Sequence, residues 1–307
     1  MSKYLRWVVS AALLSVLAWQ TSWADVVARF ADLRAGWWCA AFVLLLLGLT
    51  GSARRWQIYA NEVGFDGPWW QFCTYYFVGM FFNLVLPTSV GGDVVRVVYL
   101  NDQGSRKWPA FVSVLLERAS GLMVLIAFAC VGLFFCPFTL PAWVLACVWG
   151  SAAGSLLAVL VVRYAACWRW LSQDQREQLR LIIDLLQLPR LWARTAMLSV
   201  LTQAAGVVVV WCLAMSIGLD VPFAYVCVFA PMLTLLMLLP VSVGGMGVRE
   251  GGMVLFLAPL GIDTGSALTL AFLLFSVGAA ISLLGGLLYL LGVSPARLNP
   301  AAAGLRP

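Results

Sequence analysis

Eight apolar runs follow one another along the chain, separated by short polar stretches. They cover Trp7 to Ala24 and positions 37–53, 69–86, 109–136, 142–163, 195–216, 222–239 and 266–292. A helix needs about 20 apolar residues to cross the hydrocarbon core of a bilayer. The pattern therefore predicts an all-α polytopic membrane protein, built as a single integral membrane domain over residues 1–307.

Two of these runs differ from the others because each ends at a proline that is followed by a glycine-rich stretch. Proline lacks the backbone N–H and clashes with the preceding turn, so the helices must break at Pro87 and Pro240. Irregular backbone is tolerated at membrane depth where protein or a polar cavity surrounds it. We therefore expect the runs 69–86 and 222–239 to form two re-entrant half-helix elements, which leaves about six full transmembrane helices.

The composition excludes a soluble domain and most enzyme classes. Of the 307 residues, 63% are hydrophobic, 10% are charged and none is histidine. Without histidine, imidazole acid/base catalysis and His-ligated metal sites are excluded. The eight cysteines form no CxxC pair, and no Walker A or GxSxG motif is present. We expect no catalytic residues, no metal, no cofactor and no nucleic-acid partner.

The basic residues predict the orientation in the membrane. With the N terminus inside and both unusual runs re-entrant, 15 of the 19 Lys and Arg residues fall on the cytoplasmic side, Arg55 and Arg96 among them, and 3 fall outside. This distribution follows the positive-inside rule and predicts cytoplasmic N and C termini. If both unusual runs crossed fully, the basic stretch 163–194 would lie outside, which the rule disfavours.

Three further predictions concern the first apolar run, the stretch 163–194 and the C-terminal tail. The first run ends in a sequence that resembles a signal-peptide cleavage site at Ser22–Ala24, but further spans follow at once, so we expect it to stay uncleaved. The stretch 163–194 is compatible with a helix on the inner surface or with a solvated loop. The Pro/Ala-rich tail 294–307 is expected to be disordered.

The most informative feature is an internal repeat. Residues 86–96, LPTSVGGDVVR, align without a gap to residues 239–249, LPVSVGGMGVR, with eight of eleven positions identical. The copies are 153 positions apart, and three full spans lie between them, so they face opposite sides of the membrane. This is the pattern of an inverted-topology duplication.

The repeated motif contains groups that suit an anion. Proline ends the incoming helix, serine offers a hydroxyl, and paired glycines let backbone amides face a ligand, while Arg96 and Arg249 provide guanidinium groups that bind phosphate in a bidentate manner. The expected backbone-donor residues are Ser89, Gly91, Gly92, Ser242, Gly244 and Gly245. The alternative is that the motifs only kink two packed helices and that the arginines reach out to water.

A second polar feature is the pair Glu117-Arg118 inside an apolar span. An uncompensated charge at the bilayer centre costs at least about 2.5 kcal/mol on insertion scales, so the pair must face protein or a polar cavity. We expect it to line an inner vestibule together with Asp93 and Arg96. Arg96, Arg118 and Arg249 are then the phosphate ligands, and Asp93, Glu117 and Glu250 are their counter-ions. A purely structural ion-pair network is the alternative.

Three segments together resemble the lysylphosphatidylglycerol synthase transmembrane-region family of flippase-like membrane proteins. They are NLVLP at 83–87 running into VGGDVVR at 90–96, LERASGL at 116–122, and LPVSVGGMGVRE at 239–250. The resemblance covers essentially the whole chain. It implies an integral inner-membrane domain that moves lipid between leaflets. We expect no aminoacyltransferase part after Gly292, so the resemblance is not taken to imply lysyl transfer.

These observations predict a non-enzymatic lipid translocase of the bacterial inner membrane for an anionic phospholipid or a polyprenyl-phosphate-type lipid. Its expected partners are the membrane, the anionic lipid and enzymes of lipid or glycan synthesis. Two other classes stay open: a membrane enzyme or enzyme subunit that acts on a lipid-linked substrate, with Asp93, Glu117 or Glu250 as acid/base group, and a non-transporting lipid-binding scaffold.

Overall fold

A computed structural model describes residues 33–86, 90–101, 106–135, 142–165, 172–238 and 245–292. This part of the chain forms helices without any strand, which confirms the all-α prediction. The helices are α1 (Ala35–Glu62), α2 (Trp69–Val85), α3 (Gly91–Leu100), α4 (Lys107–Phe135), α5 (Ala142–Ala165), α6 (Gln173–Leu186), α7 (Pro189–Ser216), α8 (Phe223–Leu238), α9 (Val248–Leu257) and α10 (Thr264–Leu290). A 3-10 turn, Ala258–Leu260, follows α9.

Five helices in the described residues are long and apolar enough to cross a membrane. They are α1, α4, α5, α7 and α10, whose most apolar stretches have mean hydropathies between 1.6 and 2.3. This confirms a polytopic membrane protein. The predicted first span at 7–24, with its cleavage-like end, and the tail 294–307 lie outside the described residues.

Helix α1 continues nine residues beyond the apolar run that predicted it. Buried Ala53, Trp56 and Ala60 follow one another at intervals of three and four residues, so one face stays apolar past the two arginines at 54 and 55. The helix stops before Gly64, which has a φ of +82°. Arg106, just before α4, donates to the Gly64 carbonyl at 2.8 Å. The end of α1 and the start of α4 therefore lie together.

We call this end of the bundle the basic end, because α4, α5 and α7 place charged side chains there. Lys107 begins α4, Arg163 lies in the last turn of α5, and Arg190 lies in the first turn of α7. Helix α6 also lies at this end, since the Trp108 indole N–H donates to the Gln178 carbonyl at 3.3 Å. The opposite end is marked by the backbone N–H of Arg34, which donates to the Ser216 carbonyl at 2.9 Å.

Within the stretch 163–194, the structure places α6. Ser172 caps its first turn by accepting a hydrogen bond from the Gln175 amide, and the Gln175 side chain accepts one from the Ser172 amide in return. Ile182 and Leu185 are buried against Val112 and Leu116 of α4, whereas Glu177, Arg180 and Asp184 are exposed. The segment is thus an amphipathic helix and not only a loop.

Two pairs of shorter helices form antiparallel hairpins. In the first hairpin, α2 and α3 approach so closely that a Cβ added at Gly92 would lie 2.0 Å from the Gly79 carbonyl oxygen. In the second hairpin, formed by α8 and α9, the Tyr225 hydroxyl near the start of α8 donates to the Phe256 carbonyl near the end of α9. Each hairpin therefore returns to the end at which it began.

The first hairpin begins and ends at the basic end of the bundle. Just before α2, the Gly67 carbonyl accepts a hydrogen bond from Gln57 of α1 at 2.7 Å. After α3, the Asn101 side-chain oxygen accepts one from the Arg106 amide at 2.8 Å. The hairpin is thus held between the end of α1 and the start of α4.

The internal repeat extends over four helices and not only over the motif. Helices α1, α2, α3 and α4 have 28, 17, 10 and 29 residues, and α7, α8, α9 and α10 have 28, 16, 10 and 27. From Ala35 to Pro189 is 154 positions, and from Lys107 to Thr264 is 157. The packing repeats as well, because α2 packs on α10 as α8 packs on α4.

The two halves have opposite orientations. The equivalent helices α1 and α7 pack against each other as an antiparallel pair along their whole length. Trp37, near the start of α1, contacts Trp211, near the end of α7, and the Tyr59 hydroxyl, near the end of α1, donates to the Thr195 hydroxyl at 3.0 Å. The inverted repeat that the motifs predict is therefore present in the fold.

Gly285 is where the packing of α2 on α10 is tightest. A Cβ at this position would lie 1.9 Å from the Phe77 carbonyl oxygen, whereas a Cβ at Gly278 on the same helix meets no atom within 4 Å. We expect Gly285→Ala to lower the free energy of unfolding by about 1–3 kcal/mol through overpacking. Gly278→Ala is the matched control and should be neutral or slightly stabilising. Thermal unfolding of the two variants in detergent measures this, and equal unfolding temperatures would contradict it.

Candidate functional site

Five charged side chains from three helices meet next to the first hairpin. We call Arg55 of α1, Asp93 and Arg96 of α3, and Glu117 and Arg118 of α4 the charged cluster. Three guanidinium groups face two carboxylates, so the cluster has a formal charge of +1. The sequence predicts that Asp93, Arg96, Glu117 and Arg118 come together, and the structure places them in one cluster.

Glu117 lies at the centre of the charged cluster and is 1% exposed. Its Oε1 accepts a hydrogen bond from Nη2 of Arg55 at 2.5 Å, and its Oε2 accepts from both terminal nitrogens of Arg96 at 3.2 Å. Arg55 also donates to the Ser199 hydroxyl of α7 at 2.9 Å. A buried carboxylate that is paired on both oxygens links α1, α3 and, through Arg55, α7 to α4.

Arg96 is 2% exposed and contacts two carboxylates and two aromatic rings. Its guanidinium carbon lies 4.2 Å from the ring centroid of Trp56 and 4.4 Å from that of Tyr76, which gives it two cation–π contacts. It also donates to Asp93 at 3.2 Å. The buried Nε atoms of Arg55 and Arg96 have no hydrogen-bond partner in the described residues. Arg96 therefore supports the cluster from behind and does not line the cavity described below.

Arg118 differs from the other two arginines because it is 43% exposed. Its only ion-pair partner in the described part of the chain is Asp93, which accepts from Nη2 at 2.8 Å and from Nε at 3.2 Å. Asp93 is itself 17% exposed. This pair is the most exposed part of the charged cluster.

A cavity of about 510 Å³ opens beside the charged cluster, between α1, α4 and α7. Its polar wall includes Arg55, Tyr76, Glu117, Arg118, Thr202 and Gln203. Its apolar wall includes Leu45, Leu49, Leu115, Leu122 and Leu125. A concave site with one charged wall and one aliphatic wall fits an amphiphile that has an anionic group and a hydrocarbon chain.

The second motif is built differently. Arg249 and Glu250 are buried, and they pair with each other at the start of α9. Glu250 also accepts a hydrogen bond from the Gly247 amide at 2.7 Å, and the Arg249 guanidinium carbon lies 4.7 Å from the ring centroid of Phe275. Both charges are thus satisfied by neighbours within the second half.

Backbone conformation explains part of this difference. Gly245 and Gly247 have φ values of +76° and +82°, which a helix does not contain, so α9 begins only at Val248. In the gapless alignment this start lies four positions later than the start of α3 at Gly91. Consequently Arg249 is the second residue of its helix, whereas Arg96 is the sixth.

The helices that follow the hairpins differ in chemistry. Counted from the first residues of α4 and α10, which are 157 positions apart, Glu117 and Arg118 correspond to Leu274 and Phe275, and any offset from 153 to 157 also places apolar residues there. The aromatic ring beside Arg249 therefore belongs to an apolar stretch of α10, whereas the equivalent stretch of α4 carries Glu117 and Arg118. The two halves share a backbone arrangement, but the charged cluster belongs to the first half alone.

Some of the predicted backbone donors form bonds within the protein, and others lie outside the residues that the structure describes. The Gly92 amide, a predicted ligand donor, donates within the protein to the side-chain oxygen of Asn83 at 2.7 Å. Gly91 begins α3 and is buried. Pro87, Ser89, Pro240, Ser242 and Gly244 lie outside the described residues.

From the sequence, Arg55 is counted among the cytoplasmic basic residues that predict the orientation, whereas the structure shows it buried, 4% exposed, and bound to Glu117. The signal that identifies it is the apolar spacing of Ala53, Trp56 and Ala60, which continues the helix through the arginine.

Comparison with known proteins gives one family. The family model described as Lysylphosphatidylglycerol synthase TM region matches residues 4–286 of the chain. The matched region contains both repeat motifs and the whole charged cluster. A search of curated proteins found no match.

The two carboxylates of the charged cluster should differ in their effect on stability. We expect Glu117→Gln to lower the free energy of unfolding by about 3–5 kcal/mol, because it leaves buried Arg55 without a carboxylate and leaves Arg96 with Asp93 alone. Asp93→Asn is the control and should cost less, since its partner Arg118 is open to the cavity. Thermal unfolding in detergent compares them, and a Glu117→Gln variant as stable as the wild type would refute a central role for this bridge.

Proposed function

Because the chain belongs to the lysylphosphatidylglycerol synthase TM-region family, we propose that it is a lipid translocase. It moves an anionic phospholipid or a polyprenyl-phosphate-type lipid between the leaflets of the bacterial inner membrane. The observation that carries this proposal is the cavity of about 510 Å³, which joins the charged cluster to an aliphatic wall. Such a site suits a lipid phosphate with its adjoining chain.

Arg118 is the first ligand of the phosphate in this proposal. It is 43% exposed and is bound to Asp93, so an incoming phosphate takes the place of the carboxylate. Arg55 also lines the cavity, while Arg96 and Glu117 hold the guanidinium groups in place. The formal +1 charge of the cluster favours an anion over a cation or a zwitterion.

Arg249 is the phosphate ligand of the second half. Its present partners are Glu250 and the ring of Phe275, and Glu250 also binds the Gly247 amide. The phosphate must therefore displace a counter-ion that belongs to the same helix turn. Asp93, Glu117 and Glu250 act as counter-ions and not as catalytic acids, because each forms an ion pair with an arginine.

The two hairpins are re-entrant elements in this proposal. The first starts and ends at the basic end, and the basic end faces the cytoplasm, as the positive-inside rule requires. The second starts from the opposite side, because the equivalent helices α1 and α7 are antiparallel. Both termini are then cytoplasmic, and opening of the halves in turn gives alternating access.

The protein makes and breaks no covalent bond in this proposal. It acts on lipids that separate enzymes of lipid or glycan synthesis supply, and these enzymes are its expected partners. Movement of a phosphate between leaflets requires only that its charge be compensated in the membrane, which the arginines of the two halves provide.

The test is lipid movement in proteoliposomes that contain fluorescently labelled phosphatidylglycerol, with an impermeant quencher reporting the outer leaflet. We expect Arg118→Gln to slow movement by about tenfold to a hundredfold, since a lost charge-assisted hydrogen bond is worth about 1.5–3 kcal/mol. Arg180→Gln removes an exposed arginine of α6 that does not line the cavity, and it serves as the charge-matched control.

Wild-type protein that moves neither this lipid nor a labelled polyprenyl phosphate would refute the translocase. Formation of a covalently changed lipid by the same vesicles, lost in Glu117→Gln, would instead identify an enzyme.

A further inference from the structure

A second cavity adjoins the first and leads toward the other half of the protein. It has a volume of about 170 Å³ and lies among α1, α4, α7, α8 and α10. Five residues line both cavities: Leu45, Leu125, Gln203, Gly206 and Thr234. Because they share these residues, the two cavities adjoin at one ring of side chains, which we call the shared ring.

The far side of the second cavity reaches the second motif. Met237 lines this cavity, and its terminal methyl lies 3.3 Å from the position of a Cβ on Gly245, a glycine of the motif. Leu274 also lines it and precedes Phe275, the residue on which Arg249 rests. The two cavities thus lie one after the other between Arg118 in the first half and the surroundings of Arg249 in the second.

We propose that the shared ring is the passage through which the phosphate-bearing end of the lipid moves between the two halves, and that Gly206 determines its width. This inference rests on the proposed translocase function. The ring is apolar at Leu45 and Leu125 and polar at Gln203 and Thr234. Gln203 uses one N–H of its amide on the Gly121 carbonyl at 3.0 Å, and a primary amide has a second N–H for a passing phosphate.

The glycine at position 206 has no packing explanation. A Cβ at this position meets no heavy atom within 4 Å, in contrast to Gly51 on α1, where a Cβ would lie 2.9 Å from Thr202. A glycine in the interior of a helix costs about 1 kcal/mol relative to alanine. Since Gly206 lines both cavities, the space that its missing side chain leaves is the space of the passage.

The two ends of the passage differ in charge. The first cavity contains Arg55, Glu117 and Arg118, whereas the second has the equivalent of Glu117 replaced by Leu274. A phosphate is therefore held firmly on one side of the shared ring and weakly on the other. Filling the ring should block movement between the halves while the binding site on the charged side stays open.

The experiment compares Gly206→Leu and Gly206→Ala with the wild type in the quenching assay with labelled phosphatidylglycerol. Binding of the same lipid in detergent is measured in parallel by fluorescence anisotropy. We expect Gly206→Leu to lose at least tenfold in the rate of lipid movement, with Gly206→Ala between it and the wild type, and both to bind the lipid as the wild type does. Gly154→Leu is the matched control, because a Cβ at this exposed position of α5 also meets nothing within 4 Å and it lines neither cavity.

The outcomes separate the passage from the proposed function. If the wild type moves lipid and both Gly206 variants move it as fast as the wild type does, the proposal of the passage is wrong, while the translocase proposal stands. If Gly206→Leu loses lipid binding together with movement, position 206 belongs to the binding site and the passage is again wrong. Wild-type protein that moves no lipid overturns the proposed function and the passage with it. Gly206→Ala keeps the test decisive should the leucine variant fail to fold, because a single methyl group has room at this position.

Discussion

The burial of charge within a membrane protein is the constraint on which this structure depends. Glu117 is 1% exposed inside an apolar helix and is tolerated only because Arg55 and Arg96 bind its two oxygens. Those arginines come from α1 and α3, so the same pairing that compensates the charge also attaches the first hairpin to the long helices. The cation–π contacts of Arg96 with Trp56 and Tyr76 extend this attachment to α2. The same ion pairs and cation–π contacts therefore form the charged cluster and hold the helices together.

The inverted repeat has kept its architecture and changed its chemistry. Helix lengths, order and packing partners correspond between the halves, yet Glu117 and Arg118 of α4 correspond to Leu274 and Phe275 of α10. Arg249 consequently pairs with its neighbour Glu250 and rests on an aromatic ring. Equivalent helix lengths and packing are enough to pair the two halves, whereas the charged residues of the halves differ. A symmetric fold thus carries an asymmetric site.

The sequence predicts much of this arrangement because membrane helices leave few alternatives. The apolar runs predict the spans, and the matched motifs predict the inverted repeat. The grouping of Asp93 with Glu117 and Arg118 follows from the cost of charge in an apolar span.

What sequence reasoning missed depends on distant contacts. Arg55 follows an apolar run, so it resembles the basic flank of a span unless the continued apolar spacing of α1 is considered. The hydrogen bond from the Gly92 amide to Asn83 depends on how α2 packs against α3. The cavity between α1, α4 and α7 has no local sequence signature at all, since its lining comes from helices more than 150 positions apart.

The antiparallel pairing of α1 with α7 shows that the chain contains two structurally equivalent halves of opposite orientation. Because each helix of the first half has an equivalent of opposite direction in the second, the alternating access proposed above amounts to an exchange of conformation between the halves. Exchanging the two conformations would open the cavity beside the second hairpin and close it beside the first. In that proposal a single inverted repeat specifies two entrances related by a pseudo-two-fold axis, one for each face of the membrane.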